Sequence, residues 1–390
     1  MSIFRDFFVK EKPVFTGITR GLGGFGFGGG GGAGVESFNP VSASGGTKRT
    51  FGAYSFHVFT GNPSIDGASS PYTFSVTSGG GPNATFDLIM VAGGGGGGDD
   101  MPGSFGGGGG GAGGVRFIPE LTLGNNPYPL VVAAGGSNAN NGGDTIFNPG
   151  DGNSLPAITC KGGGYGGNGQ AAGGANGGAG GGKDYPGPLT AFGAGNNGVN
   201  SGNAGGSPVG EPRASGPGSP VGDTRFQGSP GNARNADVTH AGGGGGGARY
   251  NPSTYYLPSG GYDTGPGIVV TDSNPDGADY RAQGGDGIDF GPIIGPWSTN
   301  GNYGDSSTRA RPGAWFGGGG HGGKYPGGPG APGTGGIGGG GYDKPGDPWT
   351  GRVDKNGEAN TGGGGACKNG NGGPGILIVR YKTSGGPTGS

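Results

Sequence analysis

The residues of this chain that could do chemistry are few and far apart. Its imidazoles are His57, His240 and His321, and its thiols are Cys160 and Cys367. No histidine stands at a metal-ligand spacing from a cysteine or a carboxylate, and no Ser/His/Asp or Cys/His arrangement can be defended. His57 lies within an alternating apolar stretch, which favours a packed, hydrogen-bonded imidazole. We therefore predict a non-enzymatic protein with no catalytic residue, no metal ligand and no cofactor.

Two glycine-rich motifs imitate ligand-binding loops without completing them. Residues 177–183 have the spacing of a phosphate-binding loop, but Asp184 stands where Ser or Thr must reach Mg²⁺, and no strand precedes them. Residues 284–291, "GGDGIDFG", resemble one unit of a calcium-binding repeat. That unit is single, and Gly291 replaces its large apolar residue. We expect a turn there.

Charge and cysteine content exclude further classes of function. A formal net charge of −2 gives no electrostatic reason to bind nucleic acid. Two cysteines are too few for disulfide bonds to stabilise a chain of 390 residues. They could pair, but two buried thiols are the favoured interpretation. Charged residues interrupt the apolar N-terminal stretch, so neither a signal peptide nor a membrane span is expected.

The backbone that must position any site is dominated by glycine, with 116 glycines and 32 prolines in 390 residues. In residues 84–116, "ATFDLIMVAGGGGGGDDMPGSFGGGGGGAGGVR", an apolar alternating strand runs directly into two six-glycine runs. Collagen is excluded because the glycines come in blocks rather than at every third position. We predict polyglycine-II-type extended helices, similar to polyproline II, whose amides and carbonyls pair between neighbours.

Energetics make such an array cooperative. Fixing the backbone costs about 1–2 kcal/mol per residue, and glycine lies at the high end. A backbone hydrogen bond returns about 0.5–1.5 kcal/mol net. Each helix is therefore marginal by itself and needs anchoring strands and aromatic side chains at its ends.

The predicted fold class is mainly β and irregular with almost no α-helix: a small antiparallel β-sheet module joined to a polyglycine-II-type bundle with aromatic end loops. The strand candidates are "YSFHVFT", "YTFSVT", "TFDLIMVA", "VRFIPELTL", "YPLVVAAGG", "LPAITCKGGG" and a closing strand at 376–382 that returns to the first sheet. The predicted domains are residues 1–44, a Phe-rich docking segment with the first glycine run; 45–161, the β-strand module; and 162–390, the glycine-rich bundle.

Residues 1–27 carry many apolar side chains, phenylalanine above all, in a terminal segment, which favours docking on another protein; the alternative is a strand that covers its own domain. Phe4, Phe7, Phe8 and Phe15 are the predicted docking residues.

Three stretches of this chain resemble a known family. "YSFHVFTGNPSIDGASSPYTFSVT", "FDLIMVAGGGGGG" and "NTGGGGACKNGNGGPGILIVRY" are similar to the opening and closing of the glycine-rich domain of tailed-bacteriophage tail-fibre and adhesin-type proteins. The resemblance covers about residues 45–382. It implies a virion location, a polyglycine bundle and end loops that contact the host surface.

The expected function is a virion structural protein, tail-associated and assembled in the host cytoplasm, with a receptor-binding role. Its expected partners are other virion proteins, a host surface glycan or outer-membrane protein, and further copies of itself in a homo-oligomer, for which a trimer is favoured. Tyr255, Tyr256 and Trp297 are the predicted receptor-binding residues, because aromatic side chains on loops dominate interfaces. Two alternatives remain open: these rings seal the bundle ends, or the protein is a baseplate or capsid decoration component that binds no receptor.

Overall fold

The computed structural model describes residues 40–61, 70–81, 84–99, 107–148, 155–167, 174–175, 177–181, 224–226, 245–248, 269–271, 280–282, 284–295, 314–323, 335–342 and 355–383. The predicted docking segment, residues 1–27, lies outside these ranges. Residues 40–390 belong to one compact unit.

The described residues contain fifteen strands and one four-residue helix. No helix among them is long and apolar enough to cross a membrane. The elements are β1 (Ser42–Ser44), β2 (Thr47–Phe51), β3 (Tyr54–Thr60), β4 (Ser70–Ser78), β5 (Thr85–Val91), β6 (Val115–Thr122), β7 (Pro127–Val132), β8 (Thr145–Phe147), β9 (Ile158–Cys160), β10 (Thr224–Phe226), β11 (Val269–Thr271), β12 (Tyr280–Ala282), β13 (Ile288–Asp289), α1 (Gly291–Ile294), β14 (Trp315–Phe316) and β15 (Ile376–Lys382).

Two antiparallel sheets form the body of the fold. The five-stranded sheet has the order β1-β4-β7-β8-β9, and the six-stranded sheet has the order β10-β6-β5-β15-β3-β2. Two further strand pairs, β11 with β12 and β13 with β14, are also antiparallel. The closing strand β15 lies between β3 and β5, so the prediction that it returns to the first strands is confirmed.

Both faces of the central strands β3, β5 and β15 of the six-stranded sheet are buried. Its inner face packs on the five-stranded sheet through Phe86, Leu88 and Tyr381 against Phe74 and Tyr128, among others. Its outer face carries a second cluster, in which Phe290, Ile294 and Phe316 of the β13–α1–β14 region cover Phe56, Ile89 and Ile378. Strands buried on two faces lose the polar half of the alternation. This explains the continuous apolar runs "LIMV" and "ILIV".

An ion pair fixes α1 on that outer face. Arg380 on β15 pairs with Asp87 on β5 at 2.5 Å, and both side chains are largely buried. The same guanidinium donates to the carbonyl of Ile293 in α1 at 2.9 Å and lies 4.3 Å from the ring centre of Tyr54.

Side chains in the space between the sheets decrease in size toward the glycine runs. Along β7 the residues between the sheets are Tyr128, Leu130 and Val132, and beyond the end of the strand the buried Ala134 and then Gly136 follow at the same spacing. Along β5 they are Phe86, Leu88, Met90, Ala92 and then Gly94. The sandwich therefore tapers, and its two layers approach each other where the glycines begin.

The coarse fold prediction is confirmed: the protein is mostly antiparallel β with almost no helix. It differs in one respect, because the strands form two facing sheets rather than one small one. "YSFHVFT" and "TFDLIMVA" lie in the six-stranded sheet, whereas "YTFSVT" lies in the five-stranded sheet. β1, β2, β8 and β10 to β14 were not predicted, since they are short or exposed and carry no apolar alternation.

His57 clamps the connection between the two sheets. Gly45 and Gly46 link β1 of one sheet to β2 of the other with φ of +105° and +57°. His57 Nδ1 lies 2.6 Å from the Gly45 carbonyl oxygen, and Nε2 lies 3.2 Å from the Tyr381 hydroxyl. The side chain is 2% exposed. The prediction of a packed, hydrogen-bonded imidazole is confirmed.

This environment predicts a pH-dependent stability. Burial lowers the pKa of His57 from its ordinary 6.5; the hydrogen bond to Gly45 opposes the shift, and Lys48 adds to it. Below about pH 6.5 the unfolded chain takes up this proton before the folded chain does, so the free energy of unfolding falls as the pH decreases from 6.5 toward the folded pKa.

Urea unfolding between about pH 7.5 and 5 measures this effect. His57→Gln, which keeps a donor for Gly45 but does not titrate, should lose less stability than the wild type across that range. Both proteins retain His321, so the difference between their slopes reports His57 alone. Parallel curves would contradict the assignment.

Candidate functional site in the glycine bundle

Every amide of residues 93–98 donates to a neighbouring segment, and the partners repeat at intervals of three residues. Gly93 and Gly96 donate to Gly143 and Asn140, Gly94 and Gly97 to Gly373 and Gly370, and Gly95 and Gly98 to Gly111 and Gly108, with N···O distances of 2.8–3.2 Å. Three consecutive amides thus point to three different neighbours. In a β-strand, by contrast, successive groups alternate between two sides.

The carbonyls of the same residues have three other neighbours. They accept from Gly163 and Gly166, from Gly136 and Ala139, and from Gly365 and Asn369. Six chain segments therefore surround residues 93–98, and every backbone polar group of the run is satisfied. The same mode of bonding links residues 107–114, 161–167, 177–181, 245–248, 284–287, 317–323, 335–341, 357–366 and 370–375, which we call the glycine bundle.

Close approach explains why these positions are glycine. A Cβ at Gly93 would lie 2.0 Å from the carbonyl oxygen of Ala134, and one at Gly95 would lie 2.2 Å from that of Gly164. A Cβ at Gly97 would lie 1.8 Å from the carbonyl oxygen of Ala366. Backbone atoms of the neighbouring segments cannot move aside as the end of a flexible side chain can. The bundle therefore excludes every larger residue at these positions.

The strands set the register of the bundle. The ladder of β5 and β6 ends with Val91 opposite Val115, and the next bonds join Ala92 to Gly114, Gly95 to Gly111 and Gly98 to Gly108. Each step of one residue forward along the first segment is matched by a step of one residue backward along the second, as in the antiparallel sheet. The same continuity holds from β15–β5 into Gly373–Gly94 and from β7–β8 into Ala134–Gly143.

The two stretches whose sequences resemble ligand-binding loops lie in or next to the glycine bundle. In residues 177–183, the amides of Gly178 and Ala179 donate to Gly162 and Ala112, so they do not form a phosphate cradle. In residues 284–291, Asp286 Oδ1 accepts from the amide of Ile337 at 2.9 Å. The carboxylate of Asp289 accepts from the amides of Gly291 and Ala314. These carboxylates bind backbone amides, but the expected turn is not formed: residues 284–287 belong to the glycine bundle, Ile288–Asp289 form β13, and α1 begins at Gly291.

The bundle brings together one pair of reactive residue types that the sequence did not indicate. His321 Nε2 lies 4.0 Å from Cys367 Sγ, although 46 residues separate them, and the His321 ring lies 5.5 Å from that of Tyr342. Both members of the pair are 2% exposed or less. Among the described residues, no three His, Cys, Asp or Glu side chains are grouped to hold a metal. The pair is thus an interior contact without solvent access.

Both cysteines are free and buried, which confirms the expectation of buried thiols. Cys160 packs between the two sheets, and its Sγ lies 3.6 Å from the carbonyl oxygen of Met90.

The predicted binding residues lie outside the described part of the chain. This holds for the receptor-binding residues Tyr255, Tyr256 and Trp297 and for the docking residues Phe4, Phe7, Phe8 and Phe15. Three further aromatic residues of the glycine-rich region, Trp315, Phe316 and Tyr342, are described, and all three are buried. Phe316 packs in the cluster on the outer face of the six-stranded sheet, and the ring of Tyr342 lies beside that of His321.

The bundle has a distal end, which we define as the end away from the sheets. There Gly98 donates to Gly108, Gly108 to Gly167, and Gly323 to Gly107, at 2.7–2.9 Å. Asp99, Gly107, Gly167 and Gly323 each border residues outside the described ranges. The bundle therefore holds the bases of several connecting segments side by side at fixed positions.

Close packing predicts that alanine in place of a glycine within the bundle lowers the free energy of unfolding much more than alanine in place of a glycine outside it. Gly95→Ala and Gly245→Ala force a Cβ to within 2.2 and 1.9 Å of a backbone oxygen, and each should lower the free energy of unfolding by about 1–3 kcal/mol or more. At Gly124 the nearest atom to a Cβ is the side-chain nitrogen of Asn126 at 3.2 Å, so Gly124→Ala is the matched control, with a change within about 0.5 kcal/mol. Urea denaturation measures all three variants, and equal losses would contradict the close-packing argument.

Comparison with known proteins gives a family. No curated protein and no solved structure matches this chain. A family model described as a glycine-rich domain matches residues 68–292, from just before β4 into α1. The bundle extends beyond this match, because residues 93–98 also bond to residues 365–373. Since the match spans more than half of the 390 residues, the chain belongs to the glycine-rich domain family.

Proposed function

We propose that this protein is a non-enzymatic structural component of a tailed-phage virion, a tail fibre, adhesin or tail-associated receptor-binding protein, built on polyglycine-II helices. The observation that carries the proposal is the bonding of residues 93–98 to six neighbouring segments at three-residue intervals. A helix with three residues per turn directs its amides in this way. None of the glycines 93–98 lies in the left-handed region, which is compatible with such a helix.

The helix geometry has a direct test. In an experimental structure, polyglycine-II segments at 93–98 and 107–111 would have φ near about −75°, whereas extended antiparallel strands would have φ near about −140°. Values of the second kind would contradict this part of the proposal.

The proposed function follows from which parts of such a scaffold are able to recognise a ligand. Its interior uses its amides and carbonyls for cohesion, so a ligand must be recognised by side chains at its ends. A rigid scaffold that presents connecting segments is a common arrangement for binding proteins. The resemblance of the opening and closing stretches to tail-fibre and adhesin-type proteins supplies the virion context, with assembly in the host cytoplasm.

Adsorption tests the receptor-binding role. Purified protein should inhibit adsorption of the phage particles that carry it, by occupying a host surface glycan or outer-membrane protein. Replacing Tyr255, Tyr256 and Trp297 together by alanine should weaken this inhibition by about tenfold or more, because aromatic anchors dominate such interfaces. Thr77→Ala, at an exposed position of β4, is the control.

Two outcomes would change the interpretation. If the wild-type protein does not inhibit adsorption, the alternative of a purely structural baseplate or capsid decoration protein replaces the proposal. If inhibition is undiminished in the folded triple variant, the three rings seal the bundle and do not bind.

Docking on the particle has its own test. Deleting residues 1–27, with Phe4, Phe7, Phe8 and Phe15, should abolish incorporation into particles and leave the urea midpoint of the remainder unchanged. The same variant should still inhibit adsorption, since the predicted receptor-binding residues are retained. Normal particle content would show that another part of the chain makes the contact with the other virion proteins.

A further inference from the structure

The edge strand β2 of the six-stranded sheet buries none of its side chains. All five residues of Thr47–Phe51 are exposed, whereas the central strands β3, β5 and β15 of the same sheet are largely buried. Ordering the backbone costs about 1–2 kcal/mol per residue. β2 offsets this cost through its pairing with β3 and not through burial of side chains. The strand therefore extends the sheet beyond the hydrophobic core.

Both ends of β2 are fixed. At its start, His57 binds the carbonyl of Gly45 in the link from β1. At its end, Gly52, with a φ of +58°, and Ala53 form a two-residue turn into β3. The carbonyl of Ala53 accepts from the amide of Thr383, which follows β15, at 2.9 Å. β2 is thus held in its extended form, and a partner does not have to order it.

One side of β2 offers unpaired backbone groups. Phe51 lies opposite Tyr54 across the two-residue turn, so these two residues form the hydrogen-bonded pair that closes the hairpin. Such pairs alternate with non-hydrogen-bonded pairs along an antiparallel ladder, so the amides and carbonyls of Lys48 and Thr50 point away from β3. β2 pairs with no other strand among the described residues. A row of such groups is a template for one more strand.

The charges on this edge oppose pairing with a second copy of β2. Lys48 and Arg49 are neighbours in the strand, so their side chains lie on opposite faces of the sheet. Two paired copies of β2 would bring the cations of both together, and like charges on facing strands are destabilising. Lysine on an exposed edge is one way in which proteins prevent edge-to-edge pairing of identical chains.

Nearby acidic residues do not neutralise these cations. Residues 37–65, which include β2 and its neighbour β3, contain neither aspartate nor glutamate, and Glu36 and Asp66 flank this range. Within the same sheet, the carboxylate of Asp87 on β5 is paired with Arg380 on β15. The edge is therefore cationic, which favours a partner of opposite charge.

We infer that β2 binds an extended, acidic segment of another protein, which adds a seventh strand to the six-stranded sheet. The backbone groups of Lys48 and Thr50 pair with the segment, as in other cases of strand addition. Its carboxylates face Lys48 and Arg49, since ammonium and guanidinium groups both bind carboxylates. An apolar side chain of the segment covers Phe51, which is the exposed large apolar residue among those described. This interface goes beyond the proposed attachment function and is separate from the docking assigned to residues 1–27.

A synthetic peptide tests the inference. The probe is the capped peptide Val-Thr-Glu-Glu-Thr-Val, whose sequence reads the same in both directions, titrated onto the full-length protein by fluorescence anisotropy. We expect binding that added salt weakens. Glutamine in place of both glutamates should weaken it by about tenfold or more, and lysine should abolish it. Methylation of all backbone amides of the peptide should also abolish binding, because it removes the donors and keeps the charges.

Hydrogen exchange locates the contact. In the protein alone, the amides of Lys48 and Thr50 should exchange quickly, because they have no partner in the sheet. Saturation with the glutamate peptide should slow both amides and leave the exchange of β3 unchanged.

Charge reversal tests the side chains. Lys48→Glu combined with Arg49→Glu should weaken binding of the glutamate peptide by about tenfold or more and allow the lysine peptide to bind in its place. Thr73→Glu combined with Thr77→Glu adds negative charge at exposed positions of β4 and is the control, with unchanged affinity. Because all four side chains are exposed, both double variants should keep the urea midpoint of the wild type.

Several results would overturn the inference. These are no binding of the glutamate peptide, equal binding of the glutamine or lysine peptide, and undiminished binding by the charge-reversed variant. Slow exchange of Lys48 and Thr50 in the protein alone would show that another segment of the chain or a second copy already occupies the edge, which also overturns it. None of these measurements involves host cells, so the attachment function stands or falls separately on adsorption inhibition.

Discussion

The fold depends on one constraint, the absence of a Cβ along the glycine segments. Two packed sheets ordinarily lie about 10 Å apart because side chains fill the space between them. Here the inward side chains shrink from Tyr128 to Ala134 and then to none, so the two layers come into backbone contact. Beyond that point, Gly163, which follows β9 of one sheet, donates to Gly93, which follows β5 of the other, at 2.8 Å. Hydrogen bonds replace the hydrophobic core as the link between layers.

Residues at the junction between the two sheets and the glycine bundle connect the hydrophobic core to the hydrogen-bonded backbone. Thr145, at the start of β8, is fully buried, and its hydroxyl accepts from the Ala133 amide at 3.1 Å and donates to the Val91 carbonyl at 2.8 Å. The hydroxyl thus links the five-stranded sheet to Val91 of β5 in the six-stranded sheet. The hydrophobic core thus anchors strands whose continuations could not stay ordered alone, since each glycine loses much entropy on folding.

Sequence reasoning identified β3, β5 and β15, because an apolar alternation or a continuous β-branched run marks such strands within the local sequence. It could not divide them between two sheets, since that division is set by contacts such as Phe74 with Phe86 that no local pattern encodes. The bonding partners of the glycine runs were equally hidden, because identical residues carry no pairing information. That information lies in the flanking strands, whose register continues into the bundle from Val91 opposite Val115. The contact of His321 with Cys367 depends on the same long-range pairing.

The constraint that makes the bundle also decides where specificity can reside. In residues 177–181 a motif with the spacing of a phosphate loop has its amides committed to neighbouring carbonyls, so glycine-rich sequence here indicates cohesion rather than ligand binding. A substitution within such a segment meets backbone within about 2 Å, as at Gly97, and cannot be a route to new recognition. Side chains that are free to vary must lie where segments turn.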